Sequence, residues 1–104
     1  MVLTSKEKEY TIISIKDLIF SESVADAVDN YQEFPEELMN NIQDDGTFAL
    51  DQKRLNSVMI GYQHGLPPVT VEKALGGKFT LLNGRHRLCA AILNGDTSIQ
   101  AQIV

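Results

Sequence analysis

The sequence predicts an α+β domain in which a small mixed sheet packs against helices. Three observations carry that prediction. Residues 10–16 and 99–103 are rich in β-branched side chains and alternate apolar with polar positions, the two-residue period of a half-buried strand. Residues 23–32, 51–62 and 84–94 instead space their apolar side chains three and four apart, as an amphipathic helix does. Finally, 104 residues, 43% of them hydrophobic, suffice for one core and not for two. We therefore expect a single domain over residues 1–104, with an acidic helical elaboration at about 17–50.

Taken in order, Tyr-Thr-Ile-Ile-Ser-Ile-Lys at 10–16 reads as a strand, and Asp17-Leu18 as the turn that leaves it. A helix over 23–32 would bury Val24, Ala27, Val28 and Tyr31. Pro35-Glu36-Glu37 suits the first turn of a second short helix, since proline lacks only an N–H that has no partner there and carboxylates favour the positive end of the dipole. Phe34, Leu38 and Ile42 would be its buried edge. Asp44-Asp45-Gly46 is a turn signal. Asp51 is placed to cap a third helix carrying Leu55, Val58, Met59 and Tyr62, which Gly65 ends and Pro67-Pro68 cannot continue. Val69 and Val71 open a short strand, Gly76-Gly77 supplies a hairpin turn, and 78–82 is the partner strand. The helix at 84–94 presents Leu88, Ala91 and Ile92 to the core and stops at Gly95. Ile99, Ala101 and Ile103 mark a closing strand.

Charge is distributed unevenly. Residues 17–52 hold ten Asp and Glu and no Lys or Arg, whereas residues 1–16 and 53–104 carry balances of +1 and +4, for a net charge of -5. General binding to duplex DNA rests on clustered Lys and Arg that neutralise phosphates, so a chain with this charge arrangement is expected to be a poor general duplex-DNA binder. The acidic stretch fits a protein partner with a basic surface, and the C-terminal half offers a local basic face for an anion. The single cysteine, Cys89, cannot form an internal disulfide. No apolar run approaches the length of a signal h-region or membrane span, so a cytoplasmic, reducing setting and no membrane contact are expected.

The chemistry concentrates at Leu81-Leu82-Asn83-Gly84-Arg85-His86-Arg87, where an apolar strand runs through Asn-Gly into a helix whose first turn holds two of three arginines and one of two histidines. Unpaired N–H groups at a helix start attract anions, and guanidinium groups add charge-assisted, often bidentate contacts to phosphate. Gly84 would let an anion approach the backbone, while Asn83 could cap the helix instead. Cations here oppose the helix dipole by a few tenths of a kcal/mol. The pattern fits an anion site or a surface cluster paired with the acidic segment.

From residue 50 to 104, the order of amphipathic helix, Gly65-Leu66-Pro67-Pro68-Val69-Thr70-Val71, hairpin, Asn83-Gly84-Arg85-His86-Arg87-Leu88-Cys89-Ala90-Ala91, Gly95 and closing strand resembles the ParB/sulfiredoxin superfamily, which includes ParB-like nuclease domains. The strand at 10–16 fits that family's opening strand, and residues 22–49 match it less well. The resemblance implies a nucleoside triphosphate, ATP or CTP, held with Mg²⁺ brought by its phosphates. Asn83, Gly84, Arg85, His86 and Arg87 would form the binding box. No catalytic residue and no protein-held metal ligand is assigned.

Three departures from the family pattern narrow the activity. Sulfiredoxins place their catalytic cysteine directly before the His-Arg pair, where Arg85 stands here. ParB-type partition proteins continue into a helix-turn-helix domain, for which residues 1–104 have no counterpart. Members with free-serine kinase activity carry an Asp just before the box's glycine, where this sequence has Asn83. Cys89 is expected as a small core residue, His64 as a cation at a helix end, and Glu72 as a solvated strand residue. Tyr62 is read as a core residue with a hydroxyl near the strand-helix junction. Three functions stay open: nucleotide-phosphate binding with weak NTP hydrolysis, phosphotransfer or nuclease activity; a non-catalytic regulator whose segment 17–52 grips a basic partner; and a structural interaction protein that uses the box for salt bridges.

Overall fold

Strand β1, Tyr10–Ser14, turns Ile13 into the core and leaves Tyr10 and Ile12 outward at one edge of the sheet. The computed structural model describes residues 10–43, 48–61 and 67–104. Five more strands follow among them: β2 Leu18–Ser21, β3 Ile42–Gln43, β4 Val69–Lys73, β5 Phe79–Asn83 and β6 Ser98–Ile103. They form one mixed sheet in the order β1-β6-β4-β5-β2-β3. β1 lies antiparallel to β6 and β4 antiparallel to β5, while the β4–β6, β2–β5 and β2–β3 pairs are parallel. The helices are α1 Glu22–Asp29, α2 Gln52–Gly61 and α3 Arg85–Leu93, and α3 touches both of the others. Phe20, Leu18, Leu55, Leu88, Val69 and Val71 are fully enclosed between these layers. No helix of the described residues is long and apolar enough to cross a membrane.

The expected first strand ends early. Ile15–Asp17 is a 3₁₀ turn, and Leu18, expected in a turn, begins a strand. Long-range partners decide both departures. The Ile15 N–H donates to the Thr97 carbonyl at 2.9 Å, and the buried Asn41 amide donates to the Lys16 carbonyl at 2.7 Å, so the turn's polar groups are held by distant segments. Leu18 and Ile19 then pair with Phe79 and Thr80 of β5. The acidic stretch therefore supplies two strands as well as α1.

Helix α1 stops at Asp29, before the expected 32, and Tyr31 lies beyond it, 46% exposed. The Tyr31 hydroxyl donates to the Asn56 side-chain oxygen Oδ1 at 3.2 Å and accepts from the Gln52 side-chain amide, tying the end of α1 to α2. Pro35 stands just outside a 3₁₀ helix, Glu36–Asn41, rather than inside an α-helical turn. Leu38 is buried there as expected, Phe34 meets Phe20 edge-on at 6.3 Å, and Ile42 belongs to β3. The Asp44-Asp45-Gly46 turn, Tyr62, His64 and Gly65 lie outside the described residues.

The C-terminal half follows the sequence reading closely. Asp51 caps α2, its carboxylate accepting the Lys53 N–H at 3.0 Å. Gly76 and Gly77 turn between β4 and β5 with φ of 71° and 75°, which glycine adopts without steric cost. Leu88, Ala91 and Ile92 are buried on α3.

Candidate functional site

The site begins where β5 passes into α3. Asn83 is the last residue of β5, opposite Thr70, so it does not cap the helix; Gly84 holds the cap position with φ 112° and ψ 28°. The expected reason for a glycine was close approach of an anion, and packing supplies a different one. A Cβ at Gly84 would stand 2.6 Å from Val69 Cγ1 and 2.9 Å from Val69 Cβ, in contact with a fully buried side chain of β4. Gly84 brings no capping side chain, which leaves the first-turn N–H groups of α3 to other acceptors.

Arg85 and Arg87 are half-buried, and they serve the fold more than an exposed first-turn arginine would. Arg85 Nη1 donates to Ser23 Oγ at 2.9 Å and to the Phe48 carbonyl at 2.7 Å. Arg87 Nη1 donates to the Pro67 and Pro68 carbonyls at 3.1 and 2.6 Å. The two guanidinium groups thus grip the chain before and after α2. Their partners here are a hydroxyl and main-chain carbonyls, so the picture of a cluster neutralised by the acidic segment does not describe these contacts.

A cavity of about 530 Å³ opens at this junction, lined by Asn83, Gly84, Arg85, His86 and Arg87 together with Leu82, Arg54, Val58 and Pro67. All five box residues therefore meet at one cavity. Arg54 was not expected there. It lies four residues before Val58 on α2, and only the packing of α2 on α3 carries that pair to the box. With it, every arginine of the chain reaches the cavity, and no acidic residue is in its described lining.

The electrostatics follow from that crowding. His86 Nε2 is buried and has no hydrogen-bond partner among the described residues. Burial, then the positive fields of Arg54 and Arg85, push the His86 imidazole below its ordinary 6.5, while the Asp51 carboxylate and backbone oppose them. Burial and Arg54 also lower Arg87. Guanidinium keeps its charge in proteins even so. The result is a concentration of positive charge held at a helix start in an otherwise acidic chain.

Size alone does not single out this cavity. One of about 580 Å³ between the 3₁₀ turns and the end of α3 contains Lys16, Glu37 and Asp96, of mixed sign, and none of the box. Among the described residues, no group of three or more His, Cys, Asp and Glu is arranged to hold a metal ion. Cys89 is fully buried, and burial pushes its thiol up to about 11, as suits a core residue and not a nucleophile. Glu72 is exposed on β4, away from the cavity lining.

No protein-family model and no curated protein matches the chain. Solved structures do. Sulfiredoxin from Arabidopsis thaliana is similar with a TM-score of 0.57 at 16% identity, over 92% of this chain and 84% of that one. The C-terminally truncated chromosome-partitioning protein ParB from Caulobacter crescentus, complexed with CTP-gamma-S, is similar with a TM-score of 0.58 at 13% identity, over 92% of this chain and 44% of that one. A conserved hypothetical protein from Pyrococcus furiosus has a TM-score of 0.54 at 16% identity, over 95% and 33% of the two chains. The chain thus spans most of the sulfiredoxin, under half of the ParB protein and a third of the Pyrococcus protein. These likenesses show a ParB/sulfiredoxin-like fold.

Proposed function

We propose, from a ParB/sulfiredoxin-like fold and the charge of its cavity, that this protein binds the phosphates of a nucleoside triphosphate at the start of α3. One observation carries the reading: all three arginines of an acidic chain surround one cavity at a helix opening. Cations gathered in a described lining that holds no carboxylate oppose one another, and local rules of this kind are broken mainly at functional sites. Arg85 and Arg87 each use one nitrogen to hold a loop, and guanidinium has five N–H donors, so each keeps donors for phosphate oxygens. The cavity volume falls within the roughly 300–1,000 Å³ usual for small-molecule pockets, and Val58, Pro67 and Leu82 make part of its wall apolar. Both features suit a nucleotide better than a lone phosphate ion. That a similar fold was solved with CTP-gamma-S supports the same ligand class.

The described lining fits phosphates and does not fit a protein-held Mg²⁺, which takes carboxylate oxygens that this lining lacks. Magnesium enters this reading only as the counter-ion of the phosphates. The described lining offers one base, His86, which burial and its cationic neighbours favour in the neutral form. Weak hydrolysis, phosphotransfer or nuclease chemistry would draw on it. A thermal-shift screen with ATP, ADP, CTP and GTP, with and without Mg²⁺, tests the binding reading. A ligand at a hundred times its Kd adds about 2.7 kcal/mol of stability. Absence of a shift with all four would refute the proposal.

A second reading has its own observation. Glu22, Asp26, Asp29, Glu33 and Glu36 line a cavity of about 450 Å³ together with Phe34, Met39 and Ile42. That groove favours a partner with a basic surface. Such binding would weaken steeply as salt is raised, because exposed charges are screened.

A further inference from the structure

The aromatic residues of the described chain are mostly enclosed or half-exposed: Phe20 is 2% exposed, Tyr10 44% and Tyr31 46%. Phe48 is 87% exposed. A lone exposed apolar side chain is ordinary in itself. Its position is the informative part. The carbonyl of Phe48 is held at 2.7 Å by Arg85, a guanidinium that lines the basic cavity. Two residues later Leu50 packs against the core and Asp51 caps α2. The backbone of Phe48 is therefore held at its carbonyl by an arginine of the cavity lining and leads directly into the start of α2, with its ring largely open to solvent. Among the described residues, the apolar part of the cavity wall, Val58, Pro67 and Leu82, contains no aromatic ring.

We propose that Phe48 is the stacking platform for the ligand's base, which makes the ligand a nucleotide rather than an inorganic polyphosphate. This inference rests on the phosphate-binding reading of the cavity and adds what that reading leaves open, namely how the part of the ligand beyond its phosphates is held. A ring face accepts any base, because every base has a π face, so Phe48 confers affinity for nucleotides as a class and little choice among bases. Arg85 joins the two ends of the ligand: it lines the phosphate cavity and fixes the platform.

Calorimetric titration of wild-type protein and Phe48→Ala with ATP, CTP and inorganic tripolyphosphate tests the assignment. Wild type is expected to bind a nucleotide more tightly than tripolyphosphate. Phe48→Ala should weaken nucleotide binding roughly 5- to 150-fold, the range that loss of one base–aromatic stack gives, and leave tripolyphosphate affinity unchanged. The ring is exposed, so its removal should not alter thermal unfolding without ligand. In Phe48→Trp, ATP and CTP should quench the indole fluorescence and tripolyphosphate should not. If tripolyphosphate binds and wild type shows no preference for nucleotide, or if the preference survives in Phe48→Ala, the platform is refuted while the phosphate site stands. If neither tripolyphosphate nor nucleotide binds wild type, both readings fall together.

Discussion

Replacing Gly84 by alanine should unfold this protein far more readily than one methyl group suggests. Two separate costs arise at that position. The backbone has φ 112°, outside the conformations an L-residue adopts without strain, and holding alanine there costs about 1–3 kcal/mol. The new Cβ would also stand 2.6 Å from Val69 Cγ1 and 3.3 Å from the Val69 Cα, so rotating the valine cannot clear it. Overpacking of this kind costs about 1–3 kcal/mol more. Together the loss is about 2–6 kcal/mol, a large share of the roughly 5–15 kcal/mol that holds a domain folded. Urea unfolding of Gly84→Ala, Val69→Ala and the double variant would measure it. The double variant should relieve only the contact with the Val69 methyl, since the Cβ at position 69 remains 2.9 Å away and the backbone strain persists, giving a favourable coupling between the sites of about 0.5–3 kcal/mol. A loss below about 1 kcal/mol in Gly84→Ala, or strict additivity in the cycle, would refute the packing argument and return the glycine to the ligand.

Arg87→Ala should cost about 1–3 kcal/mol of stability without any ligand, because a charged donor to the Pro67 and Pro68 carbonyls is lost; unchanged urea unfolding would show that this grip contributes nothing. The same variant should also weaken phosphate binding roughly tenfold or more by calorimetry. His86 should titrate below 6.5 by NMR. Because its folded value is depressed, the unfolded chain takes up the proton more readily, so this group makes stability decline as pH falls below about 6.5 and on through the folded value. Phosphate in the cavity would offset the arginine fields and move the titration upward, so phosphate affinity should rise on acidification over the same range; a His86 titration at or above 6.5 in the free protein would contradict this. Cys89, with its thiol pushed up to about 11 by burial, should resist Ellman's reagent at neutral pH until the chain unfolds, and rapid native labelling would contradict its core placement.

The sequence shows most clearly what is local. The cap at Asp51, the glycine turn at 76–77 and the buried face of α3 each depend on residues within a few positions, and each is found where the spacing places it. Strand β2 was not legible because Leu18 and Ile19 pair with Phe79 and Thr80, some sixty residues away. The end of α1 was misplaced for a similar reason, since the Tyr31 hydroxyl finds its partners on α2. At the candidate site, the five box residues were readable from composition at a strand-helix junction. Arg54 was not, because its approach depends on how α2 lies on α3. The use of Arg85 and Arg87 as grips was equally hidden, since an arginine's reach to a distant carbonyl leaves no local pattern.

The double grip on the flanks of α2 has a consequence for anyone who would transplant this site. A box of five residues moved to another strand-helix junction would carry its charges without the carbonyls of Phe48, Pro67 and Pro68 that aim them. It would also leave Arg54 behind. The smallest portable part is therefore residues 48–94 taken whole, with β2 and the start of α1 needed besides to return Ser23 to Arg85. Shortening or lengthening the chain on either side of α2 would re-aim the arginines of the proposed ligand site without touching one of its residues, and those joints are where a designer could adjust the site while the box itself stays as it is.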